Sequence, residues 1–340
     1  MQAYQGSETA CGTAFSRLHL LLKLAAAFCA ALLCTAVAFA QGYPNKPIRI
    51  IAPFPPGGSA DLTARIVADH LTKTLGQPVV VENVPGAGGL IAAERIAKAA
   101  PDGYTLIVGS TGIMSVNASL LVKLPYDIVR DFTPVSIVIR VPSYLVVHPK
   151  VPVSSVRELI EYARRNPDKL TYASAGNGTS QHTNPELFKS MAGVSIRPIP
   201  YRGSAACTNA LVAGEVDMMI ELGPTIIPQI KAGRVKVLGA STANRTRAMP
   251  EVPTISEAGL AGFDAFTWFA IAGPGGMPRD IVTRLHTEIV NAVAPPEVRA
   301  RLEAVGAEVV ANTPEEFTEF QAKEIAKWAK VIRESGIKPE

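Results

Sequence analysis

The stretch Pro53-Phe54-Pro55-Pro56-Gly57-Gly58-Ser59-Ala60-Asp61 decides the fold. It follows Ile48-Arg49-Ile50-Ile51-Ala52, a short apolar run that reads as a buried strand. After it, Leu62, Ile66, Val67, Leu71 and Leu75 recur at helical spacing, and Gly76 stands where a helix stops. A strand therefore passes into a helix through a proline- and glycine-rich turn. Two glycines let the backbone approach a ligand closely, and Ser59 is placed to cap the helix. Free amides at a helix N-terminus carry partial positive charge, which suits a small carboxylate or phosphate. The same pattern also serves as a plain tight connection in an α/β protein, so on its own it leaves both readings open.

The pattern recurs along the chain. Pro78-Val79-Val80-Val81 reads as a second strand, and Val84-Pro85-Gly86-Ala87-Gly88-Gly89 as a second glycine-rich turn, feeding a helix through Leu90, Ile91, Ile96 and Ala97. Gly86 to Gly89 lack the Lys-Ser/Thr ending of a phosphate-binding Walker loop and read as a turn at a cleft rim. Tyr104 to Gly109 reads as a third strand, ending in Ser110-Thr111-Gly112. Such β-turn-α units in series specify a parallel sheet covered by helices. Two apolar runs follow, Val135 to Ile139 and Tyr144 to Val147, with Arg140 to Ser143 between them, and a crossing into a second lobe is placed there.

In the second half, Leu170 to Ser174 reads as a strand that opens into Ala175-Gly176-Asn177-Gly178-Thr179-Ser180-Gln181-His182 and a further helix. The alternation continues through Ile196 to Pro200, Ser204 to Ala213, Val216 to Ile220 and Val235 to Gly239. Phe266 to Ala272 is an aromatic-rich strand that returns to the first lobe, with Trp268 and Phe269 read as strand core. A final helix from about Thr313 aligns Phe317, Phe320, Ile325, Trp328 and Ile332 on one face. The expected organisation is a leader over 1–40, lobe 1 over 41–141 plus 264–340, and lobe 2 over 142–263. Each lobe is expected to be a mostly parallel sheet flanked by helices, with a cleft at the carboxyl ends of the strands and the two crossings acting as hinges.

The first 40 residues read as an export leader: Arg17 and Lys23 flank an apolar run from Leu24 to Ala38, and Ala38-Phe39-Ala40 is a small-x-small cleavage site. Mature protein is expected to start at Gln41, soluble and exported, because the residues before Cys29 and Cys34 do not resemble a lipidation site. Met1 to Arg17 is long for a leader, so the start codon is open. Without the leader there remain 31 basic and 28 acidic residues, with no basic stripe of the kind nucleic acid requires. Cys207 is then the single cysteine, which excludes an internal disulfide. It reads as a small buried residue rather than a nucleophile.

The chain resembles the extracytoplasmic receptors of tripartite tricarboxylate transporters, the Bug-type solute-binding proteins. The likeness runs from about Tyr43 to Gly336. It is carried by Tyr43-Pro44-Asn45-Lys46-Pro47-Ile48, the Pro53-to-Asp61 stretch, Gly76-Gln77-Pro78-Val79-Val80-Val81-Glu82-Asn83 and Pro85-Gly86-Ala87-Gly88-Gly89. Further carriers are Ala100-Pro101-Asp102-Gly103-Tyr104-Thr105-Leu106, Leu124-Pro125-Tyr126-Asp127, Tyr172-Ala173-Ser174, Gly176-Asn177-Gly178, Pro200-Tyr201-Arg202-Gly203-Ser204 and Glu257-Ala258-Gly259.

The resemblance implies a two-lobed, type II periplasmic-binding-protein fold. It also implies a periplasmic receptor, monomeric and without cofactor or metal, that closes on a small organic acid and presents it to membrane permease subunits. Di- and tricarboxylates, acidic amino acids and aromatic acids are the ligand classes it admits. Carried over residue by residue, the first turn supplies Phe54, Gly57, Gly58, Ser59 and Asp61. Thr111 lies at the floor, and the second lobe supplies Asn177, Thr179, Ser180 and His182, with Glu221 near a side-pocket. The chain departs from the family where Glu221-Leu222-Gly223-Pro224 replaces Asp-Asn-Leu-Pro, where Thr183-Asn184-Pro185 replaces small apolar residues, and at Cys207, where proline is common.

Several residues keep a second reading. Asp61 either orders its loop or meets a ligand ammonium, and Thr179 or Ser180 either caps the next helix or contacts ligand. His182 has no second His or Cys at ligand spacing, which argues against a metal. A hydrolase on the same scaffold is an alternative, although no Gly-x-Ser-x-Gly elbow or Cys/His metal set is present. A ligand-loaded sensor for a membrane signalling partner is another.

Overall fold

In the computed structural model, residues 42–335 are described. The leader expected over 1–40 and its expected cleavage site lie outside that range. The chain divides into a leading unit, Met1–Asn45, and a main unit from Lys46 onward. Everything below concerns the main unit.

Its first strand, β1 (Ile48–Ala52), is buried except at Arg49. β2 (Val79–Asn83) and β3 (Thr105–Ser110) flank it, both parallel to it. Between β1 and β2 runs α1 (Ser59–Leu75), which lays Ala64, Val67, Ala68 and Leu71 on the sheet and ends at Gly76 in the left-handed conformation, φ 67°. The second turn forms a short 3₁₀ segment, Ala87–Gly89, leading into α2 (Leu90–Ala97). After β3 the chain continues directly into a π-helical turn, Gly112–Val116, and α3 (Asn117–Leu120).

The long strand β4 (Phe132–Val147) is 16 residues and unbroken. The interruption expected over Arg140 to Ser143 is absent, because pairing partners change there while the backbone stays extended. Phe132 to Pro142 pairs antiparallel with β9 (Phe266–Pro274), around two bulges. From Ser143 onward β4 pairs instead with β7 (Met218–Leu222) and β8 (Lys236–Ala240). Pro142, which has no N–H to donate, stands at the exchange. β5 (Thr171–Ser174) runs parallel to both β6 (Arg197–Pro200) and β7. Two parallel-strand sets, β2-β1-β3 and β6-β5-β7, are thus joined through antiparallel β9 and β4. The parallel pairing expected in each lobe is present in these sets, and the antiparallel pairing belongs to the crossing strands β4 and β9. β10 (Glu308–Val309) adds to the edge of β4.

Helices α4 (Val156–Arg165), α5 (Ser180–Ala192), α6 (Ser204–Ala213) and α7 (Gly223–Lys231) cover the second strand set. α8 (Arg279–Val293), α9 (Pro296–Ala304) and α10 (Pro314–Ser335) close the chain. Of the apolar face expected on the last helix, Phe317, Trp328 and Ile332 are buried, and Phe320 and Ile325 are partly so. Trp268, fully buried on β9, meets Phe317 and Phe320 edge-on with ring centroids 5.6 Å apart. Its indole N–H donates to Glu324 at 3.2 Å, and Trp328 donates to the same oxygen at 3.3 Å. Among the described residues no helix is long and apolar enough to cross a membrane.

Trp268 links the strand that returns from lobe 2 to the helix that closes lobe 1. Trp268→Ala is expected to cost about 3–5 kcal/mol of unfolding free energy, read from denaturant midpoints. A loss below about 1 kcal/mol would show that α10 is held by other contacts.

Candidate functional site

Three strand-to-helix turns converge on one cavity: β1 into α1, β5 into α5 and β6 into α6. Their N-caps are Gly58, Thr179 and Gly203, and none provides a side-chain cap. Elsewhere the chain does cap, as where the Ser155 hydroxyl accepts from the Glu158 amide at 3.2 Å to start α4. The sequence reading assigned the α1 cap to Ser59. In the structure Ser59 is instead the first helical residue, and its buried hydroxyl has no protein partner. Thr179 turns its hydroxyl away from the helix, donating to Gly176 O at 2.6 Å. Uncapped amides and aligned helix dipoles thus give the cavity a positive field that does not depend on a charged side chain.

The cavity volume is about 50 Å³. Of the residues singled out in the sequence, Phe54, Gly58, Ser59, Thr179 and Ser180 line it. Gly57 and Asp61 stand behind the first turn. The Asp61 carboxylate accepts from Gly57 N at 3.1 Å, Asn83 Nδ2 at 3.0 Å and Arg65 Nε at 2.9 Å. Burial works against its ionisation, but the bonds from Arg65, Asn83 and Gly57 together hold it below its ordinary pKa. Asn83 also donates to Phe54 O at 3.0 Å, so this cluster ties the whole turn down.

Thr111 is buried beneath the site, its hydroxyl accepting from the Trp268 amide at 2.9 Å. Asn177 lies in the outer cleft rather than the inner cavity. His182 points into the lobe, with Nδ1 3.2 Å from Ser174 Oγ and 3.3 Å from Tyr172 Oη. Among the described residues no three His, Cys, Asp or Glu side chains group as a metal site requires.

Other wall residues were not singled out as ligand contacts in the sequence: Ser110, Gln181, Arg202, Gly203, Ser204, Thr267 and Phe269. Gly203-Ser204 repeats the Gly58-Ser59 pattern before a helix, and that repetition was the available signal. Thr267 and Phe269 alternate on β9 with Trp268, so they face the cavity while Trp268 faces the core. The Thr267 hydroxyl, like that of Ser59, is buried without a partner.

Glu221 is fully buried behind the wall. Its Oε1 accepts from Leu222 N at 2.8 Å, Thr225 Oγ1 at 2.9 Å and Gln181 Nε2 at 3.0 Å, while Oε2 has no partner. Gln181 Nε2 donates also to Ser204 Oγ at 2.6 Å, and Gln181 Oε1 accepts from Ser180 Oγ at 3.2 Å. Gln181, set by Glu221, thereby spaces the starts of α5 and α6. Burial pushes the Glu221 carboxyl up to about 7, against the bonds from Leu222, Gln181, Thr225 and Ser204. Burial, and then the Glu221 charge, also raise the neighbouring Cys207 thiol, which leaves it inert near neutrality.

Two α/β lobes joined by crossing strands, with helix N-termini facing a cavity between them, define a type II solute-binding receptor fold. Residues 63–337 match the family described as tripartite tricarboxylate transporter family receptor. The chain is 39% identical over 300 residues to the protein BugT of Bordetella pertussis, covering 88% of this chain and 92% of that one. Among solved structures it is similar to Rpa4515 of R. palustris with adipate, at 37% identity and TM-score 0.85, covering 88% of this chain and all of that one. MatC of Rhodopseudomonas palustris with bound malate aligns at 34% identity and TM-score 0.82, over 85% of this chain and all of that one. The chain belongs to the tripartite tricarboxylate transporter receptor family, of Bug type.

The raised Glu221 pKa has a defined consequence. Between its ordinary value of 4.5 and about 7 the folded state holds a proton that the unfolded state releases, so folding stability falls as pH rises through that window. Glu221→Gln is neutral at every pH and is expected to flatten this fall, opening a gap on the order of 3 kcal/mol above pH 7. Denaturant midpoints from pH 4.5 to 8.5 measure it, and parallel profiles for the two proteins would show that Glu221 titrates normally.

Proposed function

We propose that the protein is a periplasmic receptor that captures a small organic carboxylate between its lobes and delivers it to a tripartite tricarboxylate-type permease. The observation that carries this reading is the cavity itself. Uncapped helix starts surround it, no acidic side chain lines it, and two buried hydroxyls in its wall have no protein partner. A helix N-terminus is a ready seat for an anion, and an unpaired buried hydroxyl is costly unless something binds it. The adipate and malate bound to similar receptors support the ligand class. Membership of a receptor family supports binding without turnover and partnership with a transporter; action as a monomer is part of the proposal. The leader over residues 1–40 accounts for export.

In this reading Phe54, Gly58, Ser59, Thr179 and Ser180 touch the ligand. Gly57 and Asp61 hold the first turn, and Thr111, Asn177, His182 and Glu221 act from behind or beside the wall. The lobes are 41–141 with 264–340, and 142–263, so that Pro142-Ser143 and the approach to Phe266 form the hinge. Closure brings the turns of the two lobes close together, two of the three approaches being to main-chain oxygens. A Cβ on Gly112 would lie 2.1 Å from Gly178 O, one on Gly88 2.2 Å from Asn177 O, and one on Gly203 3.1 Å from the Pro55 ring.

Two substitutions test the reading. Ser59→Ala removes a hydroxyl that bonds nothing in the protein, so the ligand-free melting temperature is expected to hold or rise. Affinity for the carboxylate found by thermal-shift screening of refolded protein is expected to fall about tenfold or more, as for a bond to a charged group. Unchanged affinity by calorimetry would remove Ser59 from the ligand shell, and a refolded protein that binds no organic acid would sink the function. Gly112→Ala leaves helical backbone undisturbed but places a methyl in the closed seam. It is expected to weaken binding by about tenfold or more, because the ligand must then work against an open state. Small-angle scattering with saturating ligand should show the variant more open than wild type; equal compaction would contradict the seam.

A further inference from the structure

Arg202 has no part in the reading above. It lies at the start of α6, immediately before the Gly203 cap, and is exposed at the cavity mouth. It lines both the inner cavity and the outer cleft that opens from it, and is the one charged side chain among the described residues lining either. Some exposed arginines of the chain are engaged locally, as Arg65 with Asp61 and Arg95 with Glu82, while others such as Arg49, Arg157 and Arg234 have no side-chain partner among the described residues, so position rather than lack of a partner sets Arg202 apart. Arg202 makes no ion pair or hydrogen bond among the described residues. Its guanidinium therefore stands unspent at the entrance to a space whose inner end already suits one anion.

Between these ends the wall is largely apolar, with Phe54, Pro55, Phe269, Leu222 and Ala205 contributing. A ligand that fits this order of surfaces has a charged group inside, an apolar middle and a second anionic group outside. We propose that Arg202 is the specificity-determining residue of this cavity: it takes the outer carboxylate, so the receptor selects straight-chain dicarboxylates over monocarboxylates of the same length. The proposal rests on the carboxylate reading and deepens it. The planar fork of a guanidinium can hold a carboxylate through two parallel bonds, which a hydroxyl-lined wall cannot do for a methyl end group. A monocarboxylate of equal length leaves the guanidinium as it is without ligand, exposed and solvated, so discrimination comes from the added pair rather than from repulsion. Because that pair lies at the mouth, it is screened by salt, whereas the helix-end contacts inside are screened far less.

The test uses refolded mature protein and calorimetric titration with unbranched acids of four to seven carbons, each as dicarboxylate and monocarboxylate. Wild type is expected to bind at least one dicarboxylate about tenfold to a hundredfold more tightly than its monocarboxylate partner, the span expected of a bond to a charged group. Arg202→Met is expected to lose that preference while keeping the monocarboxylate affinity. Arg202→Lys is expected to restore only part of it, because an ammonium is a point charge rather than a fork. Raising salt from 50 to 500 mM should shrink the wild-type preference toward that of Arg202→Met. A preference that survives in Arg202→Met, or a wild type that binds both acids of every pair equally, overturns the assignment and leaves the carboxylate reading standing. A wild type that binds neither acid of any pair overturns both.

Discussion

A helix start leaves backbone N–H groups that something must satisfy. This chain places three such starts around one space and withholds the side chains that would satisfy them internally. Glycine occupies two of the three cap positions, and the threonine at the third spends its hydroxyl on a neighbouring carbonyl. The cost of leaving these groups unmet favours an anion in the space they surround. Everything around it serves to hold the three starts at a fixed separation: the Asp61–Asn83–Arg65 cluster behind the first, and the Gln181–Glu221–Thr225 cluster behind the other two.

That separation depends in turn on β4 and β9. An extended 16-residue strand belongs to one pairing set at its start and to another at its end. The parallel strands that feed the three helices are anchored to it from both sides, which places the carboxyl ends of both sets toward the same gap. The position of Pro142 at the exchange suits this arrangement, since a residue without an N–H forfeits least where the ladder changes hands. The last helix supports the arrangement from behind, its Glu324 accepting from two tryptophans at once.

Much of this was legible in the sequence because it is local. Each strand–turn–helix unit declares itself by a short apolar run, a glycine turn and a helical repeat, and Gly76 marks a stop that the backbone uses. The residues Phe54, Gly58, Ser59, Thr179 and Ser180, which the family resemblance pointed to, stand in those turns and line the cavity. What was not legible is set by tertiary pairing. Arg140 to Ser143 reads as a break because it is polar and contains proline, yet partners on both sides keep it extended. Ser59 resembles a cap, but Gly58 takes that role and frees the hydroxyl. Thr267 and Phe269 reach the wall only because β9 lies beside β3, and no spacing rule forecasts that neighbour. Gln181 stands within a recognised turn, but its role rests on a carboxylate 40 positions away.

The glycines that meet across the cleft have a bearing on how such receptors diversify. Where Gly112 faces Gly178 and Gly88 faces Asn177, the opposed surfaces are main-chain atoms, which are alike in every protein whatever its side chains. On the proposed function, closing would rest on these main-chain contacts and choosing on the side chains of the wall. On that reading, wall residues such as Leu222, Ser204 or Thr267 could change without placing a side chain in that seam. A lineage can copy the scaffold many times and retune each copy by a handful of exchanges, provided the glycines of the seam stay as they are.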